Sequence, residues 1–98
     1  MRTVFFISSD NYQKARNMVY GDDIISRQTI NFRECRTLGF DKDGYYLEIN
    51  GSEEAVKKLK ELLGSLCKEL DNNEKNEVLK KIDEQEKNAE AGFGALFG

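Results

Sequence analysis

Tyr45-Tyr46-Leu47-Glu48-Ile49-Asn50-Gly51-Ser52-Glu53-Glu54-Ala55-Val56 changes its period part-way along. Tyr45 to Ile49 alternates in the manner of a strand with one buried face. Asn50-Gly51 closes that strand by turn chemistry. Ser52 then supplies a helix N-cap, and Glu53 and Glu54 fall in the first turn, where negative charge meets the positive end of the helix dipole. From there Ala55, Val56, Leu59, Leu62, Leu63, Leu66 and Leu70 recur at steps of three and four. That wide apolar stripe predicts one helix running to Leu70 with Gly64 inside it, at a small cost in stability. Period two followed directly by the helical period makes this an α+β chain.

Upstream, Thr3-Val4-Phe5-Phe6-Ile7 is a β-branched and aromatic run and reads as a strand. Ser8 to Asn11 offers helix caps, Asn11 to Tyr20 a short helix with Tyr12, Ala15 and Val19 on one face, and Gly21 its stop. Ile24 to Arg36 is a long β candidate. Its alternation is clean only around Ile30 and Phe32, so an irregular early stretch is expected. Asp41-Lys42-Asp43-Gly44 is a turn by composition. Its likeness to a calcium loop fails, because Gly39 and Asn50 stand where ligands are required.

Downstream, Asp71 followed by Glu74 resembles a capping box. A second helix is expected from about Glu74 to Ala91. Only Val78, Leu79 and Ile82 give it an apolar patch, and pairs such as Glu77–Lys81 and Asp83–Lys87 support it in solvent. Residues 83–91 therefore read as a projecting stalk. The order strand, helix, strand, strand, helix, helix predicts a ferredoxin-like βαββα core lacking the fourth strand, followed by an additional charged C-terminal helix and a flexible tail. The expected parts are a core over residues 1–71, the charged helix over 72–91 and an apolar tail over 92–98. Such a core leaves Val4 to Ile7 on a sheet edge, a pairing hazard met by cover from the last helix or by a homodimer.

With 98 residues the chain makes one domain and a modest core. The net charge of −3, from 18 acidic and 15 basic side chains, argues against a general nucleic-acid binder. The first 51 residues are neutral, with seven of each sign, so the whole surplus lies downstream. Cys35 and Cys67 follow no disulfide spacing. No signal peptide or membrane span is readable, and a cytoplasmic, reduced protein is expected. The absence of histidine excludes Ser-His and Cys-His nucleophiles and His-ligated metals. No phosphate-cradling glycine loop is present. The chain reads as non-enzymatic, with no catalytic residues, cofactor or metal.

Two surfaces remain. Arg27, Arg33 and Arg36 lie along the second strand, and a basic sheet face is one route to RNA. Thr29 and Asn31 share that face while Phe32 points away, which separates the charge from the aromatic ring a base would stack on. The other surface is the tail. As a helix it brings Phe93, Leu96 and Phe97 to one side at i, i+3 and i+4, the anchor spacing of a helix laid in a groove. Gly92, Gly94 and Gly98 make the unbound tail a poor helix.

That ending, Gly92-Phe93-Gly94-Ala95-Leu96-Phe97-Gly98 after the charged Glu84-Gln85-Glu86-Lys87-Asn88-Ala89-Glu90-Ala91, resembles the C-terminal tip of archaeal ribosomal stalk P-proteins. In that family the tip captures translation GTPases. The resemblance implies that Phe93, Leu96 and Phe97 are the anchors, that a translation GTPase or another ribosome-associated factor is the partner, and that the source is archaeal. It covers residues 84–98 alone. Stalk proteins carry an all-helical N-terminal domain and a long hinge, neither of which residues 1–82 match. The expected function is protein–protein interaction through the tip; the alternative is a small RNA-binding or regulatory α+β module that uses its sheet.

Overall fold

The computed structural model describes the backbone of residues 1–97 and the side chains of residues 1–87. The elements are β1 (Arg2–Ser8), α1 (Ser9–Gly21), β2 (Thr29–Glu34), β3 (Gly44–Asn50), α2 (Glu53–Leu63), β4 (Lys68–Glu69) and α3 (Asn72–Phe97). Single 3₁₀ turns at Ile25–Arg27 and Cys35–Leu38 bracket β2. They account for the faulty alternation of the Ile24–Arg36 run.

The strands form one antiparallel sheet in the order β2-β3-β1-β4, the ferredoxin-like order. The α+β class is therefore as expected, but the fourth strand is not missing. Lys68 and Glu69 pair with Phe6 and Phe5, and the Leu70 amide donates to the Val4 carbonyl at 3.1 Å. The reason lies at Gly64. It takes φ +51°, ends α2 at Leu63 and turns the chain back toward β1. Leu66 and Leu70 continue the helical spacing of the stripe without being in the helix, and Leu70 packs on the opposite side of the sheet. β1 is accordingly an interior strand, between β3 and β4, and the edge that would have needed a second copy is filled.

Two apolar layers sandwich the sheet. On its first face Phe5, Ile7, Leu47 and Ile49 meet Ala15 and Val19 of α1 and Val56, Leu59 and Leu63 of α2. On the second face Val4 and Tyr46 meet Cys35, Leu38 and Leu70, with Val78 and Ile82 of α3. The alternation Tyr45 to Ile49 is thus buried on both sides, since each strand face has its own helical cover. Gly44 is needed where β3 begins: a Cβ there would stand 2.5 Å from the Ile7 carbonyl oxygen.

Candidate functional site

Of the residues singled out in the sequence, Arg33 lies on the second face of the sheet. β1 contributes Arg2, Val4 and Phe6 to it, β2 contributes Asn31 and Arg33, and β3 contributes Tyr46 and Glu48. α3 crosses that face, held in two ways. Its first half is seated by Val78 and Ile82, which are 1% and 0% exposed. Its next turn is held by polar contacts. Asp83 accepts from Arg2 Nη2 at 2.8 Å, Glu86 accepts from Arg33 Nη2 at 3.0 Å, and Gln85 Nε2 donates to the Thr37 carbonyl at 2.6 Å. Residues 83–86 are therefore part of the body and not a stalk clear of it. Leu79, Asp83 and Glu86 recur at steps of four and three, so the apolar stripe continues as carboxylates. Those carboxylates meet the arginines of the sheet.

Beneath them lies a polar core. The Glu48 carboxylate, in a residue 5% exposed, accepts from Arg2 Nε at 2.5 Å and from Asn31 Nδ2 at 3.3 Å. Arg2 bridges Glu48 and Asp83, so its charge is compensated from the strand and from the helix together. The hydrogen bond to Asp83 outweighs burial and raises the Arg2 guanidinium above its ordinary value. The hydrogen bond from Arg2 holds the Asp83 carboxyl below its ordinary value. Sequence reading placed Asn31 on this face but missed Arg2, Glu48, Asp83 and Glu86. The available signal was Glu48, an acid on the same strand face as Tyr46.

The three arginines expected on one strand are dispersed. Arg27 ends the first 3₁₀ turn, Arg33 alone lies on β2, and Arg36 sits in the second 3₁₀ turn with Nε 3.9 Å from Asp41. Arg33 is covered by α3, and its Nε is buried without a hydrogen-bond partner among the described residues. Phe32 points to the first face, as expected, where its ring meets Tyr12 at 5.6 Å and Tyr20 at 5.9 Å.

Cys35 is fully buried on the second face and Cys67 half-buried against the first, so the sheet separates them and both are free thiols. Burial pushes each thiol up, away from the reactive thiolate form. Burial also pushes the Tyr46 hydroxyl up to about 12. Among the described residues no group of three or more acidic or cysteine side chains is placed to hold a metal ion. A cleft of about 390 Å³ beside β4 is lined by Phe6, Lys42, Lys68, Leu70, Asp71 and Glu74. Lys42 and Glu74 approach to 3.7 Å across it, so its charges answer one another. No described helix is long and apolar enough to cross a membrane. The side chains of Phe93, Leu96 and Phe97 lie outside the described residues.

Comparison of the chain with protein families, with curated proteins and with solved structures found no match.

Proposed function

We propose that this chain is a non-catalytic cytoplasmic adaptor that docks a protein partner through Phe93, Leu96 and Phe97. The stalk-like ending makes a translation GTPase the first partner to test, in an archaeal setting. The structural observation that carries this reading concerns its rival. A sheet-based RNA binder needs an accessible basic face, but α3 lies over that face, with Glu86 on Arg33 and Asp83 on Arg2. With helices over both faces of the sheet, a face-bound RNA is disfavoured, which supports the tip as the docking element.

The energetics favour brief docking. Three apolar anchors contribute about 5–9 kcal/mol gross when buried. Ordering seven residues opposes this at ~1–2 kcal/mol each. Micromolar affinity is therefore the most that the tip alone can supply. The test is calorimetric titration of the intact protein with a translation GTPase from the same source, at low and high salt. Binding is expected to be weakly salt-dependent and to fall at least tenfold in Phe97→Ala. No heat at about 100 μM, or equal binding by Phe97→Ala, sinks the tip. Affinity for RNA that falls steeply with salt and with Arg33→Ala returns the function to the sheet.

A further inference from the structure

The two edges of the sheet are built differently. β4 is two residues long, and both are charged and exposed, which blunts that edge against pairing. β2 is six residues long, extended, and among the described residues pairs with β3 alone. An antiparallel strand turns the N–H and C=O of alternate residues outward, so β2 presents a ready row of donors and acceptors. Beside it stands an apolar shoulder in which Phe32 packs against Tyr20, itself 48% exposed.

We propose that β2 pairs antiparallel with β2 of a second copy of this chain, about a two-fold axis at Asn31, joining the two sheets edge to edge. The occupant follows from the strand's own side chains. Residues directly opposite in such a pair point to the same face. With the axis at Asn31, Ile30 faces Phe32 of the second copy on the first face, and Thr29 faces Arg33 on the second face. Glu34 then lies opposite Gln28, where the strand gives way to the 3₁₀ turn. Neighbouring registers lack this match. An axis at Ile30 leaves Phe32 and Arg33 opposite residues outside the strand, so fewer residues pair. An axis at Phe32 sets Glu34 opposite Ile30. The axis at Asn31 alone sets apolar on apolar at both Ile30 and Phe32 and opposes no like charges, a property that a foreign strand does not require of β2.

Thr29 is the site for a test, because it is exposed and its substitution leaves the core intact. Thr29→Glu places a carboxylate opposite Arg33 of the second copy, and Thr29→Arg places like charges there. Sedimentation equilibrium of the full chain from about 10 μM to about 1 mM reads the outcome. Wild type is expected to dimerise with concentration. The two equivalent pairs shift its dissociation constant about 2- to 30-fold, tighter for Thr29→Glu and weaker for Thr29→Arg. Amide shifts on dilution are expected to concentrate in residues 28–34. A wild type that stays monomeric throughout overturns the proposal. So does self-association indifferent to both Thr29 variants but lost in Phe97→Ala, which assigns the contact to the tail. Shifts at β2 that arise only with an extended peptide of another sequence also overturn it, since the edge then serves a foreign strand.

Discussion

Replacing Ile82 by alanine tests whether α3 is a structural layer or an appendage. Ile82 is fully buried against Val4, Leu38 and Tyr46. The change removes three carbons, worth ~2.4 kcal/mol at about 0.8 kcal/mol per buried methylene. The residual cavity adds to that, so a loss of about 3 kcal/mol is expected, within the ~2–5 kcal/mol range of such truncations. A domain of this size has ~5–15 kcal/mol in all. At ~4–8 °C per kcal/mol, thermal unfolding followed by circular dichroism should move down by about 12–24 °C. Cys35, buried beneath the same helix, supplies a second reading. In a Cys67→Ser background, its labelling by a thiol reagent should accelerate about 100-fold, one decade per 1.4 kcal/mol of easier opening. A melting change under about 3 °C, with Cys35 labelling unaltered, would refute the claim that α3 is seated on the sheet.

Arg2→Ala should cost about 1–3 kcal/mol, because it leaves the buried Glu48 carboxylate with Asn31 alone; Arg2→Lys should not restore it, since one ammonium cannot bridge Glu48 and Asp83. Glu86→Gln, whose ion pair with Arg33 is half in solvent, should cost under about 1 kcal/mol in the same denaturant titration. Asp83 is held below its ordinary value by Arg2, so its contribution is present above about pH 3.9 and lost as pH falls through the lowered value in the folded protein. Melting curves of wild type and Asp83→Asn should therefore differ at neutral pH and converge in acid; parallel curves throughout would exclude the link. Tyr46 is raised to about 12, so its contribution is complete below about pH 10 and disappears as pH climbs toward 12. A phenolate absorbance step near 12, absent in Tyr46→Phe, checks it.

Much of the body was legible before any coordinates. β1, α1, β3 and the start of α2 follow from local periodicity and capping, and the Ser52 hydroxyl does accept from the Ala55 amide at 3.1 Å. The first-face core was readable for the same reason: each side chain in it sits at a strand or helix period. The arginine site was read less well. Arg27 and Arg33 share a face only if the run is one strand, and the 3₁₀ turn at Ile25–Arg27 breaks that condition. Nothing in the linear pattern marks Asp83 and Glu86 as contacts of Arg2 and Arg33. Carboxylates in a helical stripe look the same whether they face water or a guanidinium.

The sequence by itself determined the α+β class, the helix starts and the alternation of β3, because these depend on spacings of a few residues. Three things were decided only in the folded chain. The fourth strand is two residues long and shows no period of its own; it exists because Gly64 turns the chain back and β1 offers an open ladder. The apparent stalk is anchored through residue 86, because the arginines that hold it come from strands more than fifty residues earlier. The long open edge of the sheet is β2 and not β1, because Lys68 and Glu69, more than sixty residues downstream, pair with the outer side of β1.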